Sequence, residues 1–454
     1  MPKPKSEAHY LATLTPPSVA AGVGRRGFLK GALGTGAVLS MPALLSACGG
    51  DEETSTGGSG GGGGGGKPSG TVSFGSNEAG GDVPQMRRDA LVAAYQKSSG
   101  LTVKTNAVDH NTFQENINNY LQGNADDVFS WFAGYRMQFF AERGLIGDVS
   151  DVWPIDGMGD AFQKAATGSD GKQYFVPDSN YPWVVLYRKS LWEERGYTPP
   201  TTMDEMVALS KQMQSDGLNP LAFADKQGWP GMGTFDILNM RINGYDFHVN
   251  LMAGEEAWDS AEVKQVFDSW RELLPYHQPD ALGRDWEEAA QSLVANESGM
   301  YYLGLFAFEQ FPEDEREDVD FFNFPEIDSN IGADAIDAPI DGYCMSADPD
   351  NEEGAKDFLK YISSPEAAAA MNEAGFPLIW ANSNADLSGL QPIQQKAGEF
   401  IAAQASIAQF LDRDTRPDFA STVMIPSIQE FIKNPDDVDG LTKKIEEQKK
   451  SIFV

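Results

Sequence analysis

Cysteine is nearly absent from this chain of 454 residues: only Cys48 and Cys344 occur. Two thiols cannot build a disulfide framework or a four-cysteine zinc site, so the core has to supply the stability. Histidine is scarce too. His9, His110, His248 and His277 are the whole set, no pair of them has metal-ligand spacing, and no metal or cofactor is expected. Basic side chains are outnumbered, 34 Lys and Arg against 67 Asp and Glu, for a formal net charge of −33. A phosphate backbone would be repelled by such a surface, which argues against nucleic acid as a partner. The longest uncharged apolar run, Gly31 to Ala47, contains glycines and a proline and falls short of the roughly 20 residues that a membrane span needs. Gly-x-Ser-x-Gly, the elbow of serine hydrolases, does not occur beyond residue 70. No enzyme active site is expected.

What is present begins with Arg25-Arg26-Gly27-Phe28-Leu29-Lys30, followed by that apolar run and closed by Leu45-Ser46-Ala47-Cys48. A charged region, a hydrophobic region and a small-residue cleavage site make the layout of a secretory signal. Paired arginines mark the twin-arginine export route. Leu-Ser-Ala-Cys resembles a bacterial lipobox, whose cysteine is acylated with palmitate and becomes the first mature residue. The expectation is a signal peptide over 1–47 and a mature chain on the extracytoplasmic face of the membrane, anchored by lipid on Cys48. Residues 48–70 are almost entirely Gly, Ser, Thr and acidic, with an unbroken glycine run from Gly60 to Gly66. Such a stretch has nothing to bury and reads as a flexible tether spanning on the order of 25 Å. A phosphate-cradling loop would need Gly-Lys-Ser/Thr, and Lys67-Pro68 follows instead. The remainder is too long for one compact core and long enough for two domains.

From Thr71 the pattern alternates. Thr71 to Gly75 reads as a strand with a loop from Ser76 to Asp82, Pro84 opens a helix running to Gly100, and Leu101 to Val108 forms a second strand. Thr112 to Glu115 has the form of a capping box for the next helix, and Asp127 to Phe132 is a third, apolar strand. Strand and helix in alternation predict an α/β domain with a mainly parallel sheet, whose ligands sit at the carboxyl ends of the strands. The second half is richer in helix. It ends a strand at Leu186 to Lys189 and caps a helix at Thr202 to Glu205. Helices follow from Phe235, over Ala261 to Leu274 and over Trp286 to Ala295, and a strand runs from Gly299 to Phe306.

Asp127 to Trp131 leading to Phe140-Ala-Glu-Arg-Gly-Leu-Ile-Gly-Asp148, then Gly171 to Pro177, Leu186 to Lys189, Gly196 to Glu205, Gly299 to Gly304 and Ala355 to Tyr361 stand in one order. In that order they resemble the family 1 extracellular solute-binding proteins over nearly the whole mature chain. The resemblance implies an α/β two-lobe periplasmic-binding-protein fold with a hinge that the chain crosses more than once. Residues 71–180 and 339–385 would form the first lobe, and 181–338 and 386–454 the second. It also implies a sugar or oligosaccharide ligand and delivery to the membrane subunits of an ABC importer. Two alternatives of other kinds stand beside it: an anchored glycan hydrolase using a carboxylate pair, and a binding protein for a peptide or polyamine.

A site for a neutral sugar needs aromatic faces together with groups that bond hydroxyls. Trp229, between Gly228 and Pro230, is a candidate for stacking, against a role in the core. Asn180, Tyr181 and Trp183 fall at the first lobe crossing and read either as ligand contacts or as hinge packing. Asn77 and Glu78 sit in the loop after the first strand, where they are contacts or ordinary solvated turn residues. Trp131 and Tyr135 flank the end of the third strand, one expected in the cleft and the other in the core. Tyr302 and Phe306 are placed on the strand near Gly304 as a further wall, although the family's usual tryptophan is Phe306 here. Asp341 lies at the return crossing as a hydroxyl acceptor. Asp412 and Asp414 belong to a charged loop through Arg416 that reads equally as a surface ion-pair cluster. Hinge candidates are 178–182 and 337–342.

Overall fold

The computed structural model describes residues 68–79 and 82–453. The signal at 1–47, Cys48 and the tether as far as Lys67 lie outside the described residues. No helix among the described residues is long and apolar enough to cross a membrane.

Three strands start the first lobe: β1 (Thr71–Ser76), β2 (Thr102–Ala107) and β3 (Val128–Phe132). β1 lies between the other two and is parallel to both. Every residue of β3 is buried, as expected where a sheet is covered on both faces. β4 (Val176–Asn180) forms an edge of this sheet and leads through Tyr181 and Pro182 into β5 (Trp183–Arg188) of the second lobe. There β6 (Asn219–Ala222), β7 (Ser298–Gly304) and β8 (Val319–Phe322) join β5 in the order β6-β7-β5-β8. The short β9 (Ala335–Asp337) ends just before the chain returns as β10 (Ile340–Met345). β11 (Ser406–Ala408) pairs with β9.

The first sheet has the order β2-β1-β3-β10-β4; four of its five strands run the same way, as the sequence pattern predicts, and β10 alone is reversed, which makes the sheet mixed. β4 runs out toward the other lobe, whereas β10 re-enters from it, so β10 is antiparallel to both β3 and β4. Gly342 permits that insertion. A Cβ there would lie 2.2 Å from the Val176 carbonyl oxygen and 2.7 Å from the Phe175 ring.

Each sheet has its own core. Phe74, Phe129, Phe140, Phe175 and Phe358 anchor the first, and Phe235, Trp258, Phe267, Trp270 and Tyr301 the second. Local signals place several helices well. Thr202 caps Met203–Ser215, accepting from the Glu205 N–H while Glu205 accepts from the Thr202 N–H, and Met206, Leu209 and Met213 are buried. The helix Glu352–Ile362 buries Phe358, Leu359 and Ile362.

Other boundaries move for physical reasons. The second helix starts at His110 because Asp109, not Thr112, is its cap, accepting from the Thr112 N–H at 3.0 Å. Trp229 opens the helix Trp229–Asn243 instead of standing in a loop, since Gly228 in the left-handed region supplies the cap and Pro230 fits the first turn. β7 stops at Gly304, so Phe306 lies beyond the strand in a 3-10 turn, Leu305–Gln310. The charged segment after Phe410 is a helical turn, Leu411–Asp414, and not a loop.

Candidate functional site

A cavity of about 740 Å³ separates the two lobes. The first lobe contributes polar side chains. Asn77 and Glu78 follow β1 at its carboxyl end, where a parallel strand pair opens toward a ligand. The helix Asp82–Ser99 adds Arg87 and Arg88, and the helix His110–Gln122 adds His110 and Gln114. Trp131 and Phe132 come from the end of β3, Arg136 from the helix Tyr135–Ala141, Asp178 and Asn180 from β4, and Asp341 from β10.

The second lobe contributes rings. Trp183 stacks on Phe410 with centroids 4.7 Å apart and meets Trp229 edge-on at 6.0 Å. Trp286 meets Phe306 edge-on at 5.1 Å, and Phe306 meets Tyr181 edge-on at 5.2 Å. One wall is therefore richer in hydrogen-bonding groups and the other richer in rings. Such a pocket suits an uncharged, hydroxylated ligand with an apolar face.

The arginines lining the cavity are each paired with a carboxylate. Arg87 meets Glu78 at 2.7 Å and, across the cleft, Glu309 at 3.5 Å. Burial works against the charged Arg87, but Glu78 and Glu309 outweigh it and hold its pKa above the ordinary value. Arg136 pairs with Asp412 at 3.0 Å and lies over the rings of Trp131 and Phe132. Arg413 donates to Asp341 at 2.9 Å and covers the Phe132 ring at 4.0 Å. Each of the pairs Arg87–Glu309, Arg136–Asp412 and Arg413–Asp341 joins a first-lobe residue to a second-lobe one. Asp178 is pushed up to about 6 by burial and by Asp341, and it accepts from the Ser179 hydroxyl at 2.8 Å.

His110 is held neutral. Arg136 donates to Gln114 Oε1 at 2.7 Å, which turns the Gln114 amide nitrogen toward His110 Nε2, also at 2.7 Å. Nε2 then accepts and Nδ1 carries the proton, which requires the Asn77 amide, 3.3 Å away, to turn its oxygen toward the ring. Burial first, then the Arg413 and Arg136 charges, lowers the ring's pKa to about 4.

Ten residues singled out in the sequence meet at this cavity. From the first-lobe sheet come Asn77, Glu78, Trp131, Asn180 and Asp341; from the crossing and second lobe come Tyr181, Trp183, Trp229, Phe306 and Asp412. Trp131 reaches it although only 1% of its surface is exposed, so it serves core and cleft together.

Three do not reach it. Tyr135 belongs to neither core nor cleft: it is 37% exposed, and its helical neighbour Arg136, turned about 100° around the axis, faces the cavity instead. Tyr302 is inside the second core, between Trp183 and Phe324. Asp414 turns inward to accept from the Gln409 N–H at 2.7 Å, and burial raises it to about 7. Sequence reasoning misses Arg87, Arg136, Trp286 and Phe410, and weighs His110 only as a metal ligand. Arg136 is within reach of the strand-end argument that selects Tyr135, and the others carry no local motif.

A family model for bacterial extracellular solute-binding proteins matches residues 90–401. Among solved structures, the bacterial solute receptor AcbH, described as having an exclusive preference for β-D-galactopyranose, is 43% identical. It aligns with a TM-score of 0.82 over 85% of this chain and 100% of that one. An uncharacterised ABC transporter extracellular-binding protein of Pyrococcus horikoshii is 25% identical over 56% of this chain and 57% of its own length. A probable sugar-binding periplasmic protein of Mesorhizobium japonicum is 26% identical over 44% of this chain and 50% of its own. The chain thus spans about half the length of these curated relatives. They are named as binding proteins of the periplasm or cell exterior, not as enzymes.

Proposed function

This chain belongs to the bacterial extracellular solute-binding proteins, and on that premise we propose that it captures a sugar between its two lobes and delivers it to an ABC importer. The carrying observation is the make-up of the cavity: rings come mostly from the second lobe and hydrogen-bonding groups mostly from the first, with Glu309, Asp412 and Arg413 added by the second. A sugar ring has matching chemistry, with C–H faces for Trp183, Trp229 and Phe306 and hydroxyls for Asn77, Glu78, Asn180, Asp341 and Asp412. The likeness to a galactopyranose receptor at 43% identity favours a sugar over a peptide or polyamine. Because the cleft cations already face carboxylates, the ligand need bring no charge.

In this reading the protein is a binder and not a hydrolase. The segments 178–182 and 337–342 act as hinge, and the lobes divide as 71–180 with 339–385 and 181–338 with 386–454. Closure brings contacts from both lobes onto one sugar, so the ligand shifts the population toward the closed form. The importer then reads loaded from empty protein by shape. The twin-arginine signal and lipobox support export and a lipid anchor at Cys48, which would keep the receptor beside its importer.

A thermal-shift screen beginning with D-galactose and extending to oligosaccharides, amines and peptides tests the proposal. A binder of sugars melts higher with its ligand by mass action and returns it chemically intact. A shift with peptides or amines alone, or release of shorter glycans, would overturn it.

A further inference from the structure

Away from the cleft, the second lobe holds a second constellation of polar groups. We propose that Asp236, His248 and Asp337 form a site for one divalent transition-metal ion of the zinc kind. Asp236 lies midway along the helix Trp229–Asn243, His248 on the next helix, Tyr245–Met252, and Asp337 at the end of β9. Distant in sequence, they show no motif spacing. Folding brings one ligand atom from each to within 4.8 Å of the others, with all three side chains fully buried.

Their unmet bonds point to an ion. Asp236 Oδ2 accepts from the Leu411 N–H at 2.6 Å, and His248 Nδ1 lies 3.1 Å from the Asn239 amide. Asp236 Oδ1, His248 Nε2 and both oxygens of Asp337 have no hydrogen-bond partner among the described residues, and neither has the neighbouring Tyr302 hydroxyl. Buried polar atoms are nearly always satisfied, so this many orphans in one place demand a partner. Ligands about 2.1 Å from a tetrahedral ion stand roughly 3.4 Å apart. The three ligand atoms, all within 4.8 Å of one another, have only to draw together to reach that spacing.

Charge argues the same way. Two carboxyl groups in an apolar core must either hold protons or meet a counter-charge. Arg241 is nearby and its charge is felt at Asp337, but its guanidinium N–H groups go to Phe324 O, Ala335 O and Asn323 Oδ1, and with Asp414 beside them the carboxylates outnumber that one cation. An imidazole among the ligands favours zinc-like ions over calcium or magnesium, which prefer all-oxygen shells. Loading requires the imidazole proton on Nδ1, so Asn239 must turn its amide oxygen to the ring. Asn243, bonded to Asn239 at 2.8 Å, turns with it and gives up its 3.2 Å bond to the Glu262 carbonyl.

The test uses tag-free purified protein, stripped with chelator and titrated with Co²⁺ alone, then with Zn²⁺. One equivalent of Co²⁺ should bind with visible absorption bands that Zn²⁺ abolishes, and Zn²⁺ should raise the melting temperature. H248Q and D337N should each weaken uptake by about 100-fold or more, whereas H277Q, elsewhere in the lobe, should not. Should those variants fail to fold, X-ray absorption of the zinc-loaded wild type decides, and one nitrogen ligand among oxygens is expected. No stoichiometric uptake would mean that the three residues share protons among themselves, and the proposal would fail. Uptake that survives in both variants would place the ion elsewhere and would overturn the proposal equally.

Discussion

Glu309→Gln removes one charge from the pair that spans the cleft and leaves its shape. Arg87 and Glu309 stand 3.5 Å apart with side chains 20% and 18% exposed, so the pair is partly shielded from water. Its gross attraction at an effective dielectric of about 20 is several kcal/mol, but desolvation and side-chain ordering offset most of that. Arg87 also keeps Glu78 at 2.7 Å when the lobes part, which lowers the cost of separation further. A net contribution of about 1 kcal/mol to closure remains. With the free protein mostly open, that loss lowers the closing equilibrium and raises the sugar Kd by about fivefold. Isothermal titration at low and high salt is the assay. The gap between variant and wild type should shrink at high salt as screening weakens the pair. Small-angle scattering should show the same compact form at saturating sugar for both proteins. An unchanged Kd at low salt, with wild-type closure visible by scattering, would refute the claim that this pair holds the lobes together.

Trp229→Ala should weaken sugar binding by about 30-fold, corresponding to about 2 kcal/mol for a buried aromatic contact. Trp258→Ala, deep in the second core, should lower the melting temperature without that loss of affinity; titration and melting curves on both variants separate the roles. Cys48→Ser should move the protein from the membrane fraction to the soluble one, and a signal-cleaved variant that stays with membranes would refute the lipid anchor. Burial raises Asp225 to about 8 although it accepts from the Gly231 N–H. The folded state therefore keeps a proton that the unfolded chain loses near pH ~4, and stability falls as pH rises toward about 8. Asp225→Asn should make the fall in melting temperature between about pH 6.5 and 8 shallower, with Asp414, raised to about 7, keeping part of it; unfolded histidines are mostly neutral already in that window.

Much of this protein is decided by local physics that a sequence displays. The capping box at Thr202, the helix from Ala261 and the apolar run of β3 each need only neighbours a few residues away, and each stands where the pattern puts it. Strand-end reasoning likewise locates Asn77, Glu78 and Trp131, because the carboxyl end of a parallel strand is a property of the element itself. What the pattern could not contain is any pairing set by a return path. The direction of β10, which makes the first sheet mixed, depends on the chain coming back from the second lobe. Tyr135 and Arg136 differ by one position, and only helix phase against the opposite lobe chooses which faces the cleft. Arg87 with Glu309, Arg136 with Asp412, and the trio of Asp236, His248 and Asp337 join residues far apart in sequence. Local propensity acts over a few residues, while electrostatic pairing and ligand geometry act over a few ångströms, and only the folded chain makes those distances the same.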